Sequence, residues 1–145
     1  MISSNTFKKD DFYRIGLSLD GGGVRGLLLA TELDFISRKV KQPLHKIFDS
    51  IGGTSIGGIL AIGSSGSLDG VNPLCSTGDL MEIFEKYSDS IFKKSQIKQL
   101  TNLFDTKYDV SSFEALLYSY CKDSKLSETL KETNLVVTAV NRLTN

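Results

Sequence analysis

Glycine is confined to one half of this chain, and that distribution sets the strongest limit on its fold. All thirteen glycines fall between Gly16 and Gly78, and both prolines, Pro43 and Pro73, lie in the same half. Glycine permits tight turns and the close approach of two backbone segments. We therefore expect the special backbone geometry, and any site built on it, in the first half, and mostly helix in the second.

Composition excludes several classes of protein. With 145 residues, 40% of them hydrophobic and 23% charged, the chain is expected to form one folded domain. Seventeen basic residues balance seventeen acidic ones, which argues against a globally basic nucleic-acid-binding protein. Two cysteines, Cys75 and Cys121, and the single histidine, His45, are too few for a disulfide scaffold or a His/Cys metal centre. We therefore predict no metal, no nucleic-acid partner and two free thiols.

Neither a signal peptide nor a membrane span is expected. Residues 1–12 form a polar amino-terminal segment without an apolar core. The uncharged stretch Ser50–Leu68 contains six glycines and five serines, which suits a buried strand, turn and helix better than lipid. The chain is predicted to be soluble, either cytoplasmic or peripheral at membranes.

Hydrophobic periodicity predicts alternating strands and helices. Strands are expected over 13–19, 47–51 and 135–140. Helices are expected over 26–40, 56–62 and 79–93, and again from Ser111. Strand, helix, strand, helix at this spacing predicts an α/β fold with a parallel sheet.

The second glycine-rich turn has the pattern G-x-S-x-G, formed by Gly53, Thr54, Ser55, Ile56 and Gly57. It follows a predicted strand and precedes a predicted helix, so the serine hydroxyl would stand at the tip of a sharp turn. The helix start would place backbone N–H groups and a positive dipole end beside that oxygen. This context favours a nucleophilic serine over an ordinary structural turn.

The first glycine-rich turn, Asp20–Gly26, is open to two interpretations. The N–H groups of Gly21, Gly22 and Gly23 could stabilise the oxyanion formed when a serine attacks an ester. The turn also fits G-x-G-x-x-G, with Asp49 as the ribose-binding acid of a nucleotide-binding domain. The second strand, however, runs directly into the G-x-S-x-G turn, and this pairing favours the hydrolase interpretation.

A serine nucleophile needs a base, and His45 does not suit the role. It comes ten residues before Ser55, whereas the histidine of an α/β-hydrolase follows the serine. We expect His45 to be a partly exposed residue near a loop and the base to be some other group.

At these two turns the sequence resembles the patatin-like phospholipase family. Asp20–Gly26 is similar to the family's DGGGxRG loop, and Phe48–Gly58 is similar to the strand and elbow that hold its GTSxGG core. A third segment, residues 125–140, resembles a stretch leading into a later strand. The resemblance extends over about residues 15–142.

The resemblance implies a three-layer α/β/α fold with a mainly parallel sheet, of which residues 13–145 would be the amino-terminal portion, apparently truncated at the carboxyl end. It implies a Ser-Asp dyad with Ser55 as nucleophile and Gly21–Gly23 as the oxyanion hole, supported by Arg25. The implied substrates are acyl esters of glycerolipids, reached by transient contact with a membrane or lipid surface, with no cofactor.

One element of the family pattern is missing. The dyad aspartate belongs to a DG[GA] motif, and no such motif follows the elbow. Asp69-Gly70-Val71 comes closest, but it lies only 14 residues after Ser55 and is interpreted as an ordinary turn. The chain alone is therefore expected to be nearly inactive, with the aspartate supplied by a missing carboxyl-terminal segment or a second chain. The alternatives are an inactive relative that binds lipid or protein and, less favoured, a nucleotide-binding domain using Gly21–Gly26.

A basic and apolar patch around Lys93, Lys94 and Lys98 is compatible with anionic headgroups. The simpler interpretation is a solvated helix end.

Overall fold

A computed structural model of the chain describes residues 13–88 and 110–139. The Lys93–Lys98 patch and the end of the predicted helix 79–93 lie outside these ranges. In chain order the elements are β1 Gly16–Leu19, a 3₁₀ turn Gly23–Arg25, α1 Gly26–Val40, α2 Leu44–Ile47, β2 Ser50–Gly53, α3 Ile56–Ser65, α4 Thr77–Ser88, α5 Val110–Cys121 and β3 Asn134–Val137.

The three strands form one parallel sheet in the order β1-β2-β3. Leu17, Ile51 and Leu135 stand side by side across it in register. Both crossovers advance in the same direction, so right-handed connections place α1 and α3 over the same face. This arrangement confirms the predicted α/β class.

The core lies between the sheet and this helical layer. Its buried hydrophobic side chains are Leu19, Ala30, Leu33, Leu44, Ile51, Ile56, Leu60, Ala61, Cys75, Leu80 and Phe84. On the opposite face of the sheet Gly16, Ser18 and Val136 are exposed. The described residues therefore cover one face of the sheet.

Helix α3 is the central element of the core. Eight of its ten residues are buried, and it packs against all three strands. This close approach depends on Gly57, because a Cβ there would overlap the carbonyl oxygen of Leu19 in β1. The glycine content of the elbow region thus serves packing as well as turning.

Helices α1 and α4 are tied together through Asp34. This buried carboxylate accepts a hydrogen bond from the Thr77 hydroxyl at 2.9 Å and pairs with the Arg38 Nε at 2.7 Å. The bond joins residues that lie 43 positions apart in the chain, so it fixes the start of α4 against α1.

The prediction of a strand over 47–51 was wrong for the first residues of that range. Residues Leu44–Ile47 form the short helix α2, which begins directly after Pro43, and the strand runs instead from Ser50 to Gly53. Proline is favoured at a helix start, and the Lys46 N–H donates to its carbonyl oxygen at 3.0 Å. Pairing with β1 and β3 then extends the strand through Gly52 and Gly53, although Gly53 was expected to belong to the turn.

The membrane question has a direct answer in the described part of the chain. Within residues 13–88 and 110–139, no helix has the length and apolar character needed to cross a bilayer.

Both cysteines are free thiols, and Cys75 should be inert in the folded protein. Burial, with smaller contributions from Cys121 and Asp79, raises the pKa of Cys75 to about 12. Burial also raises the pKa of the Cys121 thiol. Because the thiolate is the reactive form, we expect a maleimide or disulfide reagent to modify Cys75 slowly at about pH 8 and rapidly once the protein is unfolded in urea. Labelling of a Cys121→Ser variant measures Cys75 alone, and rapid native labelling of that variant would contradict its burial.

Candidate active site

Ser55 occupies a strained position where β2 passes into α3. Its backbone has φ 52° and ψ −124°, a conformation that a non-glycine residue rarely adopts, and its side chain is exposed. Such a conformation costs on the order of 1–3 kcal/mol and is commonest at functional sites. The strain presents the hydroxyl at the carboxyl edge of the parallel sheet, where α/β proteins place their ligands.

Two glycines make this sharp turn possible. A Cβ on Gly53 would overlap the backbone of Gly57, so the two arms of the turn pass each other without side chains between them. The turn is closed by the Gly57 N–H, which donates to the Thr54 carbonyl at 2.9 Å, and by the Gly58 N–H, which donates to the Ser55 carbonyl at 2.9 Å. The G-x-S-x-G spacing therefore has a steric reason in this chain.

The first glycine-rich turn lies directly against the elbow. A Cβ on Gly21 would be only 2.9 Å from the Ser55 Cβ. The Gly21 N–H donates to the Thr54 Oγ1 at 2.9 Å, and the Thr54 N–H donates to the Leu19 carbonyl at 3.1 Å. The two motifs singled out in the sequence are thus neighbours in space.

The rest of the glycine loop is held by its own backbone. Gly23 has a left-handed φ of 56°, and the Arg25 N–H donates to the Gly22 carbonyl at 3.2 Å. The Arg25 side chain is exposed, and its aliphatic stem lies against Gly22. That contact agrees with a part in supporting the loop, while its role in the oxyanion region stays a prediction.

Ile56 connects the elbow to the start of α1. Its side chain is buried, and a Cβ on Gly26 would come within 2.7 Å of its Cγ1. The Ile56 side chain therefore packs against both motifs on their core side and takes no part in the exposed site.

Asp49 lies at the opposite end of β2 from Ser55. Its carboxylate accepts hydrogen bonds from Arg14 Nη1 at 3.1 Å and from the Ile15 N–H at 2.8 Å, and its carbonyl accepts from the Asn134 N–H at 2.9 Å. It ties together the amino ends of the three strands and is too far along the sheet to act on Ser55. A ribose-binding acid would stand at the carboxyl edge, so this placement also counts against the nucleotide-binding interpretation.

Asp69 organises the loop after α3, which confirms the predicted turn. Its carboxylate accepts from the N–H groups of Val71 and Asn72, both at 2.8 Å, from the Asn72 side chain at 2.9 Å and from the Ser67 hydroxyl at 3.0 Å. These bonds, those from Asn72 foremost, hold the pKa of Asp69 well below its usual range. Helix α3 separates this loop from Ser55, so Asp69 is not its base.

Replacing Asp69 with asparagine is expected to destabilise the loop in a pH-dependent way. Since folding lowers the pKa of this carboxyl, its stabilising effect is present above its unfolded value of about 4 and is lost as the pH falls below it. Urea unfolding of wild type and Asp69→Asn should therefore differ most at about pH 7, and the difference should shrink as the pH falls below about 4. Asp123→Asn, at an exposed aspartate, is the matched control. Equal stability of Asp69→Asn and wild type at neutral pH would show that the loop bonds contribute nothing.

His45 is buried, contrary to the prediction that it is partly exposed. Only 2% of its surface is accessible, and it lies on α2, which precedes β2 at the amino edge of the sheet. It borders a cleft of about 470 Å³ between the end of α1, α2 and the loop before α4. That position is at the opposite edge of the sheet from Ser55, which agrees with excluding it as the base.

Within residues 13–88 and 110–139, no group of three His, Cys, Asp or Glu side chains is arranged to hold a metal ion.

Sequence reasoning placed Thr54 in the elbow but missed its bond to Gly21. The signal for it was a hydroxyl residue directly before the serine.

Comparison with known proteins agrees with this geometry. Residues 17–145 match the family model described as patatin-like phospholipase. The chain is 30% identical over 133 residues to patatin-like protein 2 of Arabidopsis thaliana, covering 83% of this chain and 32% of that protein. It is 33% identical over 133 residues to patatin-like protein 2 of Oryza sativa subsp. japonica, with the same shares covered. Patatin-17 of Solanum cardiophyllum is 27% identical over an alignment of 150 positions, covering 99% of this chain and 37% of that protein.

An α/β fold whose serine elbow adjoins a glycine-rich loop thus coincides with a family match over most of the chain. The chain belongs to the patatin-like phospholipase family. It spans about a third of the length of the curated relatives it matches.

Proposed function

We propose that this chain carries the nucleophile and the oxyanion loop of a serine hydrolase that cleaves fatty acyl esters of lipids. The observation that carries the proposal is the strained backbone of Ser55, φ 52°, with Gly21 packed directly against its side chain. Membership of the patatin-like phospholipase family supports a lipid ester as the substrate.

The proposed reaction has two stages, acylation of Ser55 and hydrolysis of the acyl-serine. The Ser55 Oγ attacks the ester carbonyl carbon while its proton passes to a base, and the carbonyl oxygen becomes an oxyanion held by N–H groups of the glycine loop. The carbon–oxygen bond to the alcohol then breaks, the alcohol leaves with the proton from the base, and an acyl-serine forms. Water, activated by the same base, attacks the acyl-serine, releases the fatty acid and restores the hydroxyl.

We infer that the base is an aspartate supplied by a further segment or by a second chain, because the described aspartates near the motifs, Asp20 aside, are engaged elsewhere. This inference rests on the hydrogen bonds in which the aspartates near the motifs are already engaged. Asp49 is engaged at the amino edge of the sheet, Asp69 in its own loop and Asp34 between α1 and α4. Asp20 directly precedes the glycine loop and is the aspartate to test as an internal alternative.

Hydrolysis of p-nitrophenyl butyrate by two preparations tests the source of the base. The purified 145-residue chain is compared with material isolated at its native length and with its native partners. Loss of a general base costs about 10²–10⁴-fold in rate, so the purified chain should be slower by that factor. A fast rate in the purified chain that Ser55→Ala removes and Asp20→Asn also removes would place the base within the chain. A fast rate in the purified chain that Ser55→Ala removes and Asp20→Asn leaves unchanged would also contradict an external base.

A further inference from the structure

A single hydrogen bond joins the glycine loop to the residue before the nucleophile. The Gly21 N–H donates to the Thr54 Oγ1 at 2.9 Å, across 33 positions of the chain. Gly21 also touches the Ser55 side chain. The bond therefore lies at the junction where the loop and the serine must keep a fixed relative position.

We propose that Thr54 is a positioning residue that holds the glycine loop in place for oxyanion binding by the N–H groups of Gly22 and Gly23. This inference rests on the proposed hydrolase function, and it divides the three glycines predicted for the oxyanion hole. The Gly21 N–H is used in the hydrogen bond to Thr54, so Gly21 anchors the loop. The N–H groups of Gly22 and Gly23 bind the oxyanion of the substrate.

The hydrogen bonds of the loop support this division. The Arg25 N–H is used on the Gly22 carbonyl at 3.2 Å. The N–H groups of Gly22 and Gly23 donate to no acceptor in the described part of the chain. Left-handed backbone such as that of Gly23, φ 56°, turns successive N–H groups toward one anion. Two N–H groups without an acceptor in the described residues, on an anchored loop, are what an oxyanion requires.

Thr54 is itself rigidly held, which is why its hydroxyl can act as an anchor. Its N–H donates to the Leu19 carbonyl at 3.1 Å, and its carbonyl accepts from the Gly57 N–H at 2.9 Å. Its branched side chain has few rotamers. The Thr54 backbone is therefore held to the end of β1 on one side and to α3 on the other, and this fixes the position of its hydroxyl.

Valine and serine at position 54 separate the hydroxyl from the shape of the side chain. Thr54→Val keeps the branched shape and loses the acceptor, so kcat for p-nitrophenyl butyrate should fall about tenfold with KM changed less than about twofold. Thr54→Ser keeps the acceptor and should stay within about threefold of wild type in kcat. Thr31→Val, on the exposed side of α1, is the control and should match wild type. All four proteins are assayed at native length and with native partners.

Hydrogen exchange of the Gly21 amide, followed by NMR, gives a readout that does not depend on activity. Protection in wild type and Thr54→Ser, with loss in Thr54→Val, is expected. An unprotected Gly21 amide in wild type, or equal kcat in Thr54→Val and wild type, would overturn the positioning role alone. Absence of any Ser55-dependent hydrolysis in wild type would overturn the proposed function and this inference with it, even where Gly21 is protected.

Discussion

Ser55→Ala is expected to lower ester hydrolysis by at least about a thousandfold while leaving the fold intact. The alanine keeps the Cβ that packs against Gly21 and removes the oxygen that attacks the ester. No other described serine combines an exposed hydroxyl with the strained elbow geometry. Hydrolysis of p-nitrophenyl butyrate and of phospholipid vesicles, at native length and with native partners, measures the loss.

Ser18→Ala is the matched control for this change. Ser18 is an exposed serine on β1, on the face of the sheet away from α3, and should keep full activity. Urea unfolding of Ser55→Ala should give a free energy of unfolding within about 1 kcal/mol of wild type. If Ser55→Ala retained a large part of the activity while Ser18→Ala lost it, the nucleophile would have been misassigned.

Gly57→Ala should destabilise the protein by about 3 kcal/mol or more, which is at the upper end of overpacking costs. The added Cβ would overlap the carbonyl oxygen of Leu19, a backbone atom that cannot rotate away. Helix α3 would have to move off the sheet, and the elbow at its first turn would move with it. The free energy of unfolding in urea measures the first effect, and the loss of ester hydrolysis measures the second.

Gly78→Ala tests whether the cost comes from the contact or from the loss of a glycine. Gly78 lies in the first turn of α4, and a Cβ there would be 3.7 Å from its nearest neighbour, an ordinary contact. Alanine at this site should be neutral or stabilise by up to about 1 kcal/mol. Equal destabilisation by the two variants would mean that the close packing of α3 on β1 is not the cause.

The features that could be predicted from sequence were those encoded locally. The turn around Ser55 needs small residues at fixed spacing, so Gly53 and Gly57 identify it from the amino-acid pattern alone. Helix α1 was predicted with its observed bounds because its apolar spacing and the following Pro43 are both local signals. The parallel sheet followed from the alternation of strand and helix.

Features set by tertiary contacts could not be read in this way. The strand β2 extends to Gly53 because its neighbours pair with it there, although glycine alone favours a turn. His45 is buried by helix packing that no local pattern indicates. The bond from Gly21 to Thr54 depends on bringing together two turns 33 residues apart, and it becomes visible only in the fold.

Labelling by a fluorophosphonate, followed by peptide mapping, tests most directly whether Ser55 is an activated nucleophile. The reagent reacts only with a serine whose hydroxyl is activated by a base and whose oxyanion is stabilised. At native length and with native partners, a single adduct on the peptide that contains Ser55 is expected, and Ser55→Ala should abolish it. An adduct on a different serine, or no adduct in protein shown to be folded, would contradict the assignment of this elbow as a catalytic centre.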